Sequence, residues 1–112
     1  MEERRQYQRY KMGNDIYCEI IAGDGATYSA QLYDISITGA RLHIDDAAAY
    51  DYIGQGETFQ IYNYSQGGEY IAQNMTASAV WYSNNYYGIQ YAAPIADSNE
   101  QIMTAYPSAT PI

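Results

Sequence analysis

Hydrophobic and polar positions alternate through much of this chain. Ile16, Cys18 and Ile20 fall on one side of an extended backbone, with Tyr17 and Glu19 on the other, the period of a half-buried strand. Gly23-Asp24-Gly25 interrupts the run, and Tyr28, Ala30 and Leu32 resume it up to Asp34, predicting a β-hairpin. After a turn spanning Asp34 to Gly39, Ala40, Leu42 and Ile44 alternate with Arg41 and His43. A third strand therefore carries Arg41 and His43 on the face opposite its apolar side chains. Phe59 and Ile61 mark a fourth strand, Tyr70 to Tyr82 a long fifth, and Tyr86 to Ala92 a sixth, with a tight turn at Ser83-Asn84-Asn85. Between the third and fourth strands, Ala47-Ala48-Ala49 predicts one helical turn that Gly54 and Gly56 end.

Both ends depart from the alternation. Residues 1–14 are polar and charged and predict a flexible arm. Ile102 and Tyr106, at i and i+4 behind a cap at Asp97 or Ser98, predict a short helix over residues 97–106. Pro107 and Pro111 leave residues 107–112 as a disordered tail. Five or six short strands over residues 15–96, with no long helices between them, imply an all-β domain, a small antiparallel barrel or sandwich.

Composition pulls two ways. Only 17 of the 112 residues are Leu, Ile, Val or Phe and the net charge is −8, a balance that resembles disordered chains. Fifteen Tyr and Trp81 restore the case for a fold, because each buries a large ring while keeping a polar tip for hydrogen bonding. The negative charge argues against general binding to DNA, RNA or an anionic membrane surface. A lone Cys18 forms no intramolecular disulfide and suits a reducing cytoplasm. Without an apolar leader or a long apolar run, neither secretion nor membrane insertion is expected, and the expected location is cytoplasmic.

Against that acidic background the cations are concentrated. Four of the five Lys and Arg residues, Arg4, Arg5, Arg9 and Lys11, lie in the first eleven positions, and the fifth, Arg41, follows the Asp34 to Gly39 turn. Such an arrangement suits a small anion gripped locally. Each feature also has a plainer reading: a basic run is ordinarily a solvated tail, and Asp-x-Ser-x-x-Gly is ordinarily a turn whose side chains satisfy nearby amides. His43 lacks companion metal ligands, and Cys18 reads as a small buried hydrophobe. Trp81 and the tyrosines read as core and barrel wall, with Tyr7 and Tyr10 in the arm as the ones to watch. No nucleophile with a base, metal cluster or phosphate-cradling glycine loop is present, so no catalytic residue, metal or enzymatic activity is expected.

Taken together, Arg5-x-x-x-Arg9 and Asp34-x-Ser36-x-x-Gly39 resemble the paired signature of PilZ domains, bacterial receptors for the second messenger cyclic di-GMP. Ala40-Arg41-Leu42 after the glycine, and Val80-Trp81 with Gly88-Ile89-Gln90-Tyr91, extend the resemblance over residues 4 to 93. It implies a six-stranded antiparallel β-barrel with a short C-terminal helix, whose N-terminal arm closes over the ligand and whose ordering a downstream protein partner reads. Asp34 would accept from the guanine N1/N2 edge, Ser36 would meet a phosphate or a neighbouring ligand atom, and Arg5 and Arg9 would take the guanine edge and phosphates. A basic residue directly before the motif, here Arg4, goes in the family with an intercalated pair of ligand molecules rather than one. Arg41 could reach the same anion.

The chemistry agrees with the resemblance. Guanine presents acceptors O6 and N7 to a guanidinium fork and donors N1–H and N2–H₂ to a carboxylate, and Gly39 would allow close ligand approach or a positive φ. Two other readings compete: a PilZ-like interaction module that binds no nucleotide, and an OB-type barrel on which tyrosines stack single-stranded bases.

Overall fold

The computed structural model describes residues 8–12, 16–23, 25–46, 49–54, 56–62 and 74–112. Among the described residues eight strands and two helices follow one another: β1 (Tyr10–Lys11), β2 (Tyr17–Ile21), β3 (Thr27–Ile35), β4 (Gly39–His43), α1 (Tyr50–Ile53), β5 (Thr58–Tyr62), β6 (Asn74–Ser83), β7 (Tyr86–Tyr91), α2 (Asn99–Ala105) and β8 (Thr110–Pro111). Six of the strands form a closed antiparallel barrel in the order β2-β5-β6-β7-β4-β3, with β2 pairing back onto β3. Closure leaves no bare edge in the barrel wall.

The alternation read from the sequence is the inside-outside pattern of this wall. Cys18, Ile20, Ala30, Leu32, Leu42, Phe59, Ile61, Ala77, Ala79, Tyr87, Ile89 and Tyr91 point inward and are buried. Between β6 and β7, Asn84 and Asn85 have φ of 52° and 67°, the two left-handed residues of a type I′ hairpin turn. That turn fixes the register, with Ser83 opposite Tyr86 and Tyr82 opposite Tyr87. The helix α2 buries Ile102 and Ala105 in the same hydrophobic core. Ser98 caps α2 by accepting from the Gln101 amide, and the Gln101 side chain accepts in turn from the Asp97 amide, a reciprocal cap that fixes the helix start.

The helical turn is shifted from its expected place, and the long strand is present over its described part. The turn falls at Tyr50–Ile53, immediately after the expected alanines, because Ala49 and Ile53 are the positions that face the core; residues 47 and 48 lie outside the described residues. β6 is described from Asn74, so the Tyr70 to Gln73 part of the expected strand also lies outside them.

The termini differ more. The expected arm contains a two-residue strand, and the expected disordered tail contains another. Tyr10 and Lys11 pair with Ile35 and Asp34 on one side and with Pro111 and Thr110 on the other. Apolar anchors at alternate positions explain it: Tyr10 and Met12 are both buried, so this stretch behaves as a strand edge rather than as solvated chain. Pro111 is tolerated because β8 is an outermost strand that needs no further donor there.

Two β-bulges shape the wall. On β3 the register steps from Leu32↔Leu42 to Asp34↔Arg41, leaving Tyr33 as the extra residue. On β6 it steps from Ala79↔Ile89 to Trp81↔Gly88, leaving Val80 extra. A bulge re-aims the side chains beyond it, and here the effect is specific. Without the bulge, regular pairing would set Tyr33 opposite Arg41 and Asp34 opposite inward-facing Ala40; with it, Asp34 faces Arg41 while Ile35 takes the place in the core opposite Ala40.

Candidate functional site

The two bulges create one cross-strand row on the outer face of the barrel. Lys11 is the register partner of Asp34, Asp34 of Arg41, Arg41 of Gly88, and Gly88 of Trp81. Directly opposed residues share a face and lie within side-chain reach, so the sheet itself brings a carboxylate, a guanidinium and an indole together.

At the middle of the row Asp34 is 1% exposed, the one buried charged side chain among the described residues. Arg41 donates Nε–H to Asp34 Oδ2 at 3.0 Å, and its Nη2 lies 2.9 Å from the same oxygen. Arg9 Nη1 stands 3.9 Å from the other oxygen, Oδ1. The Arg41 guanidinium also lies over the Tyr33 ring, 4.6 Å from its centroid, a cation–π contact that the bulge residue is placed to make. Arg9 remains 47% exposed along its side chain, so its charge faces solvent at the mouth.

The turn from Asp34 to Gly39 is held from within. The Ser36 amide donates to the Gly39 carbonyl at 2.8 Å. Ser36 Oγ accepts from the Gly39 and Thr38 amides at 3.3 and 3.4 Å. Ser36 is thus engaged in its own turn, as the plainer reading of the motif has it, while also bordering the cleft. Of the two expected reasons for a glycine at position 39, positive φ does not hold. The chain that crowds it is β7: a Cβ would run into the Ile89 carbonyl.

Together these residues line a cleft of about 210 Å³ that takes in Arg9, Asp34, Ser36, Gly39 and Arg41 with Thr38, Val80, Trp81, Gly88 and Gln90. A second space, of about 380 Å³, adjoins it across the Arg9, Asp34 and Arg41 side chains and reaches Ile112. Of the residues singled out in the sequence, Arg9, Asp34, Ser36, Gly39 and Arg41 come together here. Arg4, Arg5 and Tyr7 lie outside the described residues. Tyr10 packs in the core, away from a ligand role.

Trp81 stands in the barrel wall, on β6. It is 38% exposed rather than core, and its indole covers Gly88, where a Cβ would collide with Nε1. The signal was present: a two-residue Asn-Asn loop sets Gly88 opposite Trp81, and a glycine opposite a tryptophan invites the ring to lie across the bare backbone. Elsewhere, His43 Nδ1 lies 3.5 Å from Asp45 Oδ1 and its ring packs on Tyr86. Among the described residues no cluster of three His, Cys, Asp or Glu side chains could hold a metal ion. Burial pushes the Cys18 thiol up to about 12, which leaves it a poor nucleophile. Among the described residues no helix is long and apolar enough to cross a membrane.

A closed six-stranded antiparallel barrel followed by a short C-terminal helix is the architecture of a PilZ-type domain. The chain belongs to the PilZ domain family, which it matches over residues 3–106. Among solved structures it is similar to the PilZ domain with c-di-GMP of YcgR from Escherichia coli, with a TM-score of 0.68 at 18% sequence identity, covering 94% of this chain and 92% of that one. No match was found among curated proteins.

Proposed function

We propose that this domain is a receptor for cyclic di-GMP. The observation that carries the reading is Asp34: a carboxylate 1% exposed, set between Arg41 and Arg9 at a cleft bordered by Ser36, Gly39 and Trp81. A nearly buried anion held by two guanidinium groups supplies both halves of guanine recognition, an acceptor for N1–H and N2–H₂ and donors for O6, N7 and phosphate. That the YcgR domain of the same fold is described with c-di-GMP supports the assignment. Family membership also leaves the OB-type alternative without support.

In this reading Arg4, Arg5 and Arg9 grip the dianion from the N-terminal arm, Asp34 takes the guanine edge, and Ser36 and the Gly39 backbone border a phosphate. Trp81 offers an aromatic face to a base. Two spaces sharing one wall of Arg9, Asp34 and Arg41, together with Arg4 before the motif, favour two ligand molecules per chain. Ligand charge orders the arm through charge-assisted hydrogen bonds, and a protein partner senses the changed surface. The domain acts as a receptor rather than an enzyme.

Calorimetric titration with cyclic di-GMP tests this directly. Binding that Arg9→Ala and Asp34→Ala each abolish, with saturation near two ligands per chain, is the expected result. Saturation at one ligand removes the two-ligand proposal, and no heat at high micromolar ligand overturns the receptor reading in favour of a nucleotide-free interaction module.

A further inference from the structure

We infer that Arg41 is a specificity-determining positioning residue: it holds the Asp34 carboxylate so that one oxygen alone faces the base, and it does not itself touch the ligand. The inference rests on the receptor reading above and departs from the expectation that Arg41 reaches the anion.

The geometry is unusual for an arginine–carboxylate pair. A fork engaging both carboxylate oxygens is the common arrangement, yet here Nε and Nη2 both converge on Oδ2. An oxygen that accepts from Nε and has the Nη2 cation 2.9 Å away has little left to offer. Oδ1 is turned toward Arg9, which at 3.9 Å is beyond hydrogen-bond distance. Among the described residues no hydrogen bond reaches Oδ1, so the acceptor capacity of Asp34 is concentrated there, beside the cleft that Asp34 lines.

Three features hold Arg41 in that role. Its backbone is tied to Asp34 by strand register, its guanidinium lies over the Tyr33 ring, and the Tyr33 ring is braced edge-on by Tyr86 at 5.4 Å. Tyr33 is the bulge residue, so the same insertion that turns Asp34 outward also supplies the surface under Arg41. An arginine already committed to a buried anion and an aromatic face is poorly placed to follow a phosphate. It is well placed to keep a carboxylate from rotating, and a fixed pure acceptor discriminates bases by the donors on their edges.

The test is a double-mutant cycle read by ligand affinity. Titrations of cyclic di-GMP, and of its hypoxanthine analogue lacking the N2 amine, are made with the wild type, Arg41→Ala, Asp34→Asn and the double variant. Arg41→Lys keeps the cation, without the planar fork, should Arg41→Ala fold poorly. Positioning predicts that Arg41→Ala weakens cyclic di-GMP binding about tenfold or more and narrows the preference over the analogue. It also predicts little further loss on the Asp34→Asn background, since residues acting as a unit are not additive. Arg41→Lys retains binding but not the full preference. Equal losses for both ligands, additive with Asp34→Asn and accompanied by a shallower salt dependence, would instead make Arg41 a phosphate contact. Unchanged preference in either Arg41 variant would leave it a structural partner only.

A readout without ligand separates the two levels. The Arg41 Nε–H resonance of the free protein is expected to be slowly exchanging and to lose protection in Asp34→Ala. A wild type showing that protection but binding no cyclic di-GMP overturns the receptor reading, and the specificity role with it, while the clamp stands. Binding with additive losses overturns the inference alone.

Discussion

Trp81 lies across the backbone of its register partner Gly88, occupying the space that any side chain at position 88 would need. The relationship ties the aromatic rim of the cleft to a missing Cβ. Gly88→Ala forces the indole off the β7 backbone, at a cost of about 1–3 kcal/mol for a small-to-large change in a packed contact. Because Trp81 is the chain's single tryptophan, its fluorescence reports the displacement without labelling. The variant is expected to melt lower, to show a red-shifted emission and to bind cyclic di-GMP more weakly. An emission spectrum identical to wild type would show that the indole does not depend on Gly88.

Gly39 presents a second missing Cβ with a different neighbour. A methyl group there meets the Ile89 carbonyl, which is backbone and cannot swing aside. Gly39→Ala must then push β4 from β7 at the floor of the cleft, again costing about 1–3 kcal/mol, and is expected to reduce ligand affinity together with stability. Gly23→Ala is the matched control. A Cβ at position 23 meets nothing within 4 Å and its φ is not positive, so its effect on the urea midpoint should correspond to less than about 0.5 kcal/mol. Equal destabilisation by the two substitutions would show that close approach is not what position 39 requires.

Much of this arrangement could be read from the chain, and what could not has identifiable causes. Strict alternation along Ile16–Ile20, Tyr28–Leu32 and Ala40–Ile44 specified strands and their inward faces, because period two with one buried face admits a single register. Arg9, Asp34, Ser36 and Gly39 could be tied to one site by motif. The bulges at Tyr33 and Val80 could not be foreseen, since an inserted residue breaks alternation without a residue type that announces it. Missing them concealed the row that runs from Asp34 through Arg41 to Gly88 and Trp81 as a whole, although the Asn84-Asn85 loop by itself sets Gly88 opposite Trp81. The pairing of Tyr10–Lys11 with Thr110–Pro111 escaped for another reason. Two-residue strands leave no periodic trace, and a proline in the partner argues against strand on local grounds.

Ionisable groups inside the barrel predict an alkaline limit to stability. Burial raises the Cys18 thiol from 9.0 to about 12 and carries the Tyr91 hydroxyl well above 10.0, with the Cys18 and Tyr106 charges adding to the effect. The unfolded chain releases these protons first as pH rises, so the folded state binds more protons above about pH 9. Stability is then fully present below pH 9 and declines toward pH 12, by up to ~1.4 kcal/mol per pH unit for each such group. Urea midpoints measured from pH 7 to 10.5 should fall beyond pH 9 in the wild type. Cys18→Ala, somewhat less stable at neutral pH, should decline less steeply over the same interval. Parallel curves would assign the alkaline loss to other groups.

The C-terminal strand bears on the arm that carries Arg9. Ile112 donates its amide to the Arg9 carbonyl at 3.0 Å, and the Gln8 side chain donates to the Ile112 carbonyl at 3.0 Å. Together with the Tyr10↔Pro111 and Lys11↔Thr110 pairs, these bonds hold β1 from the side opposite β3. Cleavage by trypsin requires a locally unfolded segment, and its rate follows the population of the opened form when reclosing is fast. With Lys and Arg confined to positions 4, 5, 9, 11 and 41, the digest reads the arm almost alone. Removal of residues 110–112 is expected to speed cleavage after Arg9 and Lys11 several-fold while leaving Arg41, inside the barrel wall, uncut. Cyclic di-GMP is expected to slow the same two cleavages in the full chain. Unchanged cleavage after truncation would mean that β3 alone secures β1, through the pairs of Tyr10 and Lys11 with Ile35 and Asp34 and the Met12 amide bond to the Tyr33 carbonyl.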